Sequence, residues 1–382
     1  MPEHPDLPDG AVPENSAELA KPSASRLDVK AIAPALAAWL TDKAGSPVTV
    51  TGIHLPDGNG MSSETVIVDA QWGGAPHPLV ARVAPDPNND PLFASYDLDN
   101  QFRLMAYVGQ RTTAPVPPLY WSEPGTDIIG APFIVMGRVD GDIPPDVLPY
   151  TFGSWLTEAD EQDRRRLQHQ TVHTLAAIHA APIPVDLLPA PRAGESPLAA
   201  HVRRLTEFYR WTTRDCPGSP LLERALAWVH ENLPATQDEV LCWGDARIGN
   251  VIYQDFVPAA VLDWEMATRA PRELDVAWGI ALHRFFQDIA QLAGVAGLPA
   301  FWRRADVERD YEQAAGARLH DMDFYLTYAT LYYAMILFRI QTRAIDFGQA
   351  DEPANPDDKI LNQATLAAMI AGTYWDGVGE NR

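Results

Sequence analysis

Cysteine is nearly absent: Cys216 and Cys242 are the only 2 in 382 residues, too few for a disulfide framework or a thiolate metal site. Cys242, within an apolar stretch, reads as core. Basic residues are also scarce. The 29 Lys and Arg stand against 51 Asp and Glu, a formal net charge of −22, and such a surface repels nucleic acid and anionic membranes. Neither is therefore an expected partner. No long apolar run exists either: Leu326 to Ile340 is interrupted by Thr327 and Thr330, falls short of the roughly 20 residues a membrane span needs, and reads as a buried helix. The N-terminus, MPEHPDLPDG, lacks the basic region and apolar core of a signal peptide, so a cytoplasmic location is expected. What is abundant is core material. Apolar residues make up 46% and aromatics 9%, enough for a globular protein whose length suits two lobes around a shared cleft.

The densest chemistry lies in Trp243-Gly244-Asp245-Ala246-Arg247-Ile248-Gly249-Asn250 and in Val261-Leu262-Asp263-Trp264-Glu265. Between them we expect a strand from Asn250 to Gln254, a turn around Phe256-Val257-Pro258 and a strand from Ala259 to Leu262. A hairpin of this kind brings its ends together, so Asp263 comes to lie beside Asn250. Phosphoryl transfer needs one group to take the proton of an attacking hydroxyl and hard oxygen ligands to hold Mg²⁺ against phosphates. Asp245 suits the first task; Asn250 and Asp263 suit the second. A metal-assisted phosphohydrolase would use the same residue types, and capping of loop turns by Asp and Asn is the plain structural alternative.

Upstream, Val48 to Ile53, Thr65 to Trp72 and Pro78 to Ala84 read as strands by their period-two pattern. The segment Asp57-Gly58-Asn59-Gly60-Met61-Ser62-Ser63-Glu64 joins the first two. A glycine-containing turn of this kind can fold its N–H groups over phosphates, and Arg82 on the third strand supplies a cation.

WGDARIGN followed by VLDWE resembles the H-G-D-x-x-x-x-N and D-x-E/D motifs of the aminoglycoside phosphotransferase and choline kinase family, relatives of the protein kinases and most similar to putative phosphotransferases of actinobacterial type. The resemblance spans about residues 48 to 350. It implies an α+β, bilobal, protein-kinase-like fold, with a small antiparallel-sheet N-lobe (28–137, after a disordered tail, 1–27) and a mostly helical C-lobe (138–382). It also implies ATP and Mg²⁺ as cofactors and a small-molecule hydroxyl as acceptor. By this likeness Asp245 and Arg247 are catalytic, and Asn250, Asp263 and Glu265 are metal ligands. Gly58, Gly60, Ser62, Ser63, Arg82, Val135 and Met136 bind the nucleotide, the last two as part of a hinge, Phe133 to Gly137, that would meet adenine. A catalytically silent binding module on the same fold, or a kinase of hydroxyacyl thioesters, are the alternatives.

Four positions depart from the family pattern. Trp243 and Arg247 stand where the family has His, Arg82 where it commonly has Lys, and Gln101 where a Glu would fix that cation. Asp97 and Asp99 are the nearest acids on the helix expected from Ala94 to Gln110. Asp275, in Leu274-Asp275-Val276-Ala277, matches the D-x-A carboxylate that braces the catalytic loop. Asp28 is expected to cap a helix running to Lys43. Further helices are expected over Glu158 to Ala180, Ala199 to Thr213, Leu221 to Glu231, Ala305 to Ala315, Asp321 to Ile345 and Asp357 to Tyr374. His169, His173 and His179 lack the pattern of a zinc site and read as structural. In the family the C-terminal helices wall the acceptor site, which makes Asp321, Asp323, Asp346 and Asp351 possible contacts for a cationic acceptor.

Overall fold

A computed structural model describes residues 27–56, 63–235 and 238–379. Residues 1–26 of the tail, and Gly58, Gly60 and Ser62 of the glycine turn, lie outside the described residues. The chain begins with α1 (Val29–Ala44). The Asp28 carboxylate accepts from the N–H groups of Lys30 and Ala31 at its start, and Gly45 closes it in the left-handed region. Then come β1 (Thr49–His54), β2 (Glu64–Trp72), β3 (Ala75–Val83), α2 (Leu98–Arg111), β4 (Leu119–Glu123) and β5 (Phe133–Gly137). Helix α2 starts later than its pattern suggests because Asp97 caps it through the Asn100 N–H. Strand β4 is an addition to the expected set. The five strands form one antiparallel sheet in the order β1-β2-β3-β5-β4.

The remainder is mostly helical. It contains α3 (Trp155–Glu158), α4 (Glu161–His179), α5 (Pro197–Thr212), α6 (Pro220–Glu231), β6 (Glu239–Cys242), β7 (Val251–Gln254), β8 (Val257–Val261) and β9 (Thr268–Pro271). The helices α7 (Glu273–Leu292), α8 (Arg304–Ala315), α9 (Met322–Asp346), α10 (Gln363–Ile370) and α11 (Tyr374–Val378) follow. The single helix expected from Asp357 to Tyr374 is instead a 3-10 turn, Pro356–Lys359, followed by α10 and α11. Gly372, at φ +72, ends α10 before the chain can continue as one helix. No helix among the described residues is long and apolar enough to cross a membrane. Helix α9 is long but carries buried arginines.

Two cores divide the sheet between them. Leu36, Trp39 and Leu40 of α1 pack with Val66, Val68, Leu79, Ala81, Phe133 and Val135. Ile134 and Met136, which point to the other face because strand side chains alternate, join a larger core with Leu104, Met105 and Val108 of α2 and the helices beyond. Helix α2 thus packs against β4 and β5 of the sheet and joins that face of the sheet to the helical body. Side-chain contacts reinforce this: Asn100 Nδ2 donates to the Leu187 carbonyl at 2.8 Å and the Tyr107 hydroxyl to the Pro182 carbonyl at 2.8 Å.

The loop leading into α2 is tied to α9. Arg339, 1% exposed, donates through Nη2 to Asp90 Oδ1 and to the Pro91 carbonyl, both at 2.6 Å. Arg343 Nε donates to the Asp90 carbonyl at 2.7 Å. Two guanidiniums buried here depend on one carboxylate and two carbonyls. Removing one partner of a buried charge pair typically costs about 3–5 kcal/mol, because the other charge is left uncompensated. Asp90→Ala is therefore expected to lower unfolding stability by about that amount in urea titration, with a smaller loss for Asp90→Asn; a loss below about 1 kcal/mol would contradict this role.

Candidate functional site

The site is built on two short strand pairs at the edge of the helical body. Strands β6 and β9 pair antiparallel from Glu239↔Pro271 to Cys242↔Thr268, and β7 and β8 form a hairpin. Its two-residue turn is Asp255-Phe256, both with positive φ, one position earlier than the sequence suggests. This is the backbone of a tight hairpin turn, and it leaves Val257 and Pro258 inside β8. At the open end, Leu262 N–H donates to the Asn250 carbonyl at 2.8 Å, which sets Asp263 beside Asn250. The connector from β5 is stitched to the same hairpin, since Asp142 and Tyr253 exchange backbone hydrogen bonds of 2.9 and 2.8 Å. Gly141 is required there: a Cβ would stand 2.4 Å from the Tyr253 carbonyl oxygen.

The loop from Trp243 to Arg247 is fixed from beneath by Asp275, which is fully buried. Its carboxylate accepts from Trp243 N–H at 2.7 Å and Gly244 N–H at 2.9 Å, and pairs with His179 Nε2 at 3.0 Å. His179 Nδ1 in turn meets the Tyr311 hydroxyl at 2.6 Å. Gly244 has φ +94, and a Cβ on it would come 2.2 Å from the Met266 carbonyl oxygen. Trp243 ties the two motifs together: its indole N–H donates to the carbonyls of Leu262 at 2.8 Å and Asp263 at 3.1 Å. The indole, standing where the family has His, thus holds the loop and the segment at Leu262 and Asp263 together. His179, Cys242 and Asp275 lie close enough to meet one metal ion. Each already has protein partners, however, and burial pushes the Cys242 thiol far up, keeping it protonated.

Asp245 is held by four contacts. Oδ1 accepts from Trp278 Nε1 at 2.6 Å, Oδ2 from Asn250 Nδ2 at 2.6 Å, and each oxygen is 3.1 Å from Arg247 Nε. Arg247 Nη1 also donates to Asp146 Oδ2 at 2.6 Å. Burial pulls the Arg247 pKa down, but Asp245 and Asp146 outweigh it and raise it far above the ordinary value, so the guanidinium is firmly charged. Asn250 turns its amide nitrogen towards Asp245, leaving its carbonyl oxygen for another partner. Asp263 has φ +58, a strained position for a residue other than glycine.

Arg82 reaches this cluster from the sheet. It donates through Nε to Ser63 Oγ at 2.9 Å and lies 3.5 Å from Asp263 Oδ1. The acid opposite Arg82 is thus Asp263. The neighbouring acids on α2 are otherwise engaged, Asp97 as the helix cap and Asp99 as acceptor of the Ser122 hydroxyl at 2.8 Å. Gln101 is buried in the wall of a cavity of about 570 Å³, which Glu265 also lines. Val135 and Met136 lie inside β5, paired with Ala81 and Val80 on one side and Trp121 and Leu119 on the other. None of Asp321, Asp323, Asp346 and Asp351 lines the cavity, and Asp323 is ion-paired with Arg304.

Sequence reasoning missed Asp146 and Trp278. Trp278 stands one helical turn after Asp275, so both face the loop, and that spacing was a usable signal. Asp146 sits in Gly141-Asp142-Ile143-Pro144-Pro145-Asp146, where no period marks it.

A family model for the phosphotransferase enzyme family matches residues 55–321, well over half of the chain. The chain belongs to that family. Among solved structures, this phosphotransferase-family chain is similar to a protein of Ralstonia eutropha assigned provisionally as an aminoglycoside phosphotransferase, with TM-score 0.63 and 21% identity over 90% of this chain and 98% of that one. It is also similar to the macrolide 2'-phosphotransferase MphH of Brachybacterium faecium, with TM-score 0.53 and 16% identity over 88% and 97% of the two chains. A thermostable mutant of aminoglycoside phosphotransferase APH(4)-Ia, solved with ADP and hygromycin B, gives TM-score 0.54 and 16% identity over 91% and 99%. At these identities the likeness is one of fold, and the fold is the bilobal kinase-like one. Acyl-CoA dehydrogenase family member 10 of Mus musculus is 25% identical over 76% of this chain. An Arabidopsis thaliana protein named provisionally as an acyl-CoA dehydrogenase is 24% identical over 58% of it. The matches take in 26% and 27% of those two proteins, about a quarter of their length.

The Asp275 carboxylate offers a direct test of the loop's support. Asp275→Asn puts an N–H₂ group where two backbone N–H donors and an imidazole now point, leaving buried donors without an acceptor. A loss of about 2–3 kcal/mol in chemical denaturation is expected, and full retention of stability would contradict the arrangement.

Proposed function

We propose that this chain transfers the γ-phosphoryl group of ATP, bound with Mg²⁺, to a hydroxyl of a small molecule. The observation that carries the reading is the convergence of Asp245, Asn250 and Asp263 through the hairpin and the Trp243 indole, with Arg82 facing them from the sheet. Family membership supports a phosphotransferase, and the structural relative holding ADP and hygromycin B supports a nucleotide donor and a hydroxylated acceptor.

The donor set suits Mg²⁺: one carboxylate on Asp263, the amide oxygen that Asn250 turns away from Asp245, and the nearby Glu265, all hard oxygens. Bound there, the ion would neutralise phosphate charge. The chain's own residues divide the other tasks. Arg82, with Ser63 beside it, is placed to move from Asp263 to the nucleotide phosphates. With Val135 and Met136 inside the strand ladder, we assign adenine recognition to the connector that follows Arg138, whose own N–H already meets the Pro78 carbonyl. Asp245 orients the acceptor hydroxyl and takes its proton as the new O–P bond forms and the bond from phosphorus to the leaving ADP oxygen breaks.

Asp245 is fully engaged in the resting arrangement, because a carboxylate has about four lone-pair sites and four contacts take them. One contact has to yield. Arg247 is the group that can, since Asp146 holds its other end while the arriving γ-phosphate attracts the guanidinium. The cation then stabilises charge developing on the transferring group. A second reading concerns the acceptor alone: two relatives named for acyl-CoA chemistry support a hydroxyacyl thioester.

Asp245→Asn is expected to cut single-turnover phosphate transfer by about 10²–10⁴-fold while leaving ATP affinity nearly unchanged. Asn holds loop turns about as well as Asp, so a variant that transfers at the wild-type rate would place the base elsewhere. For Asp263→Asn the expected loss is in Mg²⁺-dependent nucleotide binding, measured by calorimetry with and without the ion. Unchanged Mg²⁺ dependence would remove Asp263 from the metal site.

A further inference from the structure

The cavity of about 570 Å³ beside the site lies between the segment that follows Asp263, helix α5 and the loop entering α2. Its walls mix polar and apolar groups, and five aromatic side chains, Phe93, Tyr96, Phe208, Trp264 and Tyr332, contribute to them. It adjoins the catalytic loop, because Tyr332 packs edge-on against Trp278 at 5.4 Å and Trp278 donates to Asp245. Glu265, the acid nearest the motif, forms part of the wall, and Asp97, also in the wall, is committed to capping α2. Asp186 lies in an exposed stretch at the margin.

The basic side of this cavity is unusual. His201 lines it, but burial pulls its pKa down to about 3 and its Nδ1 is paired with the Tyr328 hydroxyl, so it is neutral. That leaves Arg204 as the cation of the wall. Arg204 Nη2 donates to the Thr268 hydroxyl at 2.8 Å, and Nη1 is shut away from solvent without an acceptor. Among the described residues no carboxylate forms an ion pair with it. Its neighbours are treated differently. Arg203 pairs with Glu195 and Glu207, and Arg269, next to Thr268, pairs with Glu239. In a chain with 51 acids against 29 bases, a half-buried arginine left without one is a retained cost, because partial desolvation weakens its hydration and no carboxylate replaces it.

We infer that this cavity binds the acceptor and that Arg204 receives an anionic group on it, a carboxylate or a phosphate, so that the acceptor is an anion bearing a hydroxyl and a short apolar skeleton. The inference rests on the phosphotransfer reading for the word acceptor, but not for the binding itself. It selects against polycationic acceptors, which would place ammonium groups beside a guanidinium that pairs with no carboxylate among the described residues.

The test is calorimetric binding to the intact protein without nucleotide. The carboxylate arm compares 4-hydroxybutyrate with 1,4-butanediol; the phosphate arm compares glycerol 3-phosphate with glycerol; choline serves as the cationic probe. At least one anion is expected to bind more tightly than its neutral match and than choline. Arg204→Gln should weaken that anion by about 10–100-fold, the range for losing a charge-assisted hydrogen bond, and Arg204→Lys should keep part of the affinity. The better arm identifies the anionic group. Arg204→Met should melt no lower than wild type in the absence of ligand, since it removes a buried unpaired charge. Neutral or cationic probes binding as well as the anions, binding of neither anion, or Arg204→Gln leaving affinity intact would each overturn the inference. Anions that bind through Arg204 yet release no ADP from ATP would leave the cavity assignment standing and count against the transfer reading.

Discussion

The buried carboxylate of Asp275 is the constraint from which the site's geometry follows. It takes two consecutive backbone N–H groups, from Trp243 and Gly244, and an imidazole N–H side from His179, at a point where the chain leaves β6 and must turn sharply. Consecutive N–H groups pointing one way create a local positive field that suits an anion. A carboxylate fixed there, fully buried, sets the loop's direction. Because Asp275 lies at the start of α7 and Trp278 one turn later, the same helix that anchors the backbone also delivers the indole that holds the Asp245 side chain. Loop backbone and the Asp245 carboxylate are therefore positioned by one rigid element.

The second coupling runs through Trp243. Its indole N–H reaches the carbonyls of both Leu262 and Asp263. This fixes Asp263 in a left-handed conformation that would otherwise cost free energy, of the order of 1–2 kcal/mol. Strain of this kind persists only where the surroundings over-determine it. The Leu262–Asn250 hydrogen bond and the Trp243 indole supply that over-determination on either side of the residue.

What was legible in the sequence was whatever depended on local pattern. Most of the strand and helix order, the Asp28 cap and the meeting of Asp263 with Asn250 follow from period, turn chemistry and motif spacing, and the α+β two-lobed fold from the resemblance that the motifs carry. Features made by distant contacts were not legible. Strand β4, Leu119-Tyr120-Trp121-Ser122-Glu123, has no clean alternation because its side chains are shared between the sheet and the Trp39 and Trp72 rings. The partner of Arg82 was sought on α2, by analogy with an ion pair inside one lobe, whereas the structure supplies it from Asp263, 181 residues later. Asp146 gave no signal because its importance lies wholly in Arg247, which is 101 residues away. The turn was expected one residue late, at Phe256-Val257-Pro258, because proline is a common turn residue; Val257 and Pro258 instead lie inside β8, and the turn is made by Asp255 and Phe256 at positive φ, with Phe256 packed against Trp155.

Division of the molecule by packing differs from division along the chain. Helix α2 lies before β5 in sequence yet contributes Leu104, Met105 and Val108 to the helical core, and its entry loop is clamped to α9 by Arg339 and Arg343. The face of β5 that carries Ile134 and Met136 packs on the same helix, so α2 links the sheet to the helical body and belongs to neither alone. Arg82, in contrast, rides on β3 with the sheet, and its contact with Asp263 is long, at 3.5 Å. The Arg82–Asp263 pair thus bridges the sheet and the β7–β8 hairpin, and it is the loosest link of the cluster, since the Asp245 carboxylate is held by contacts of 2.6–3.1 Å.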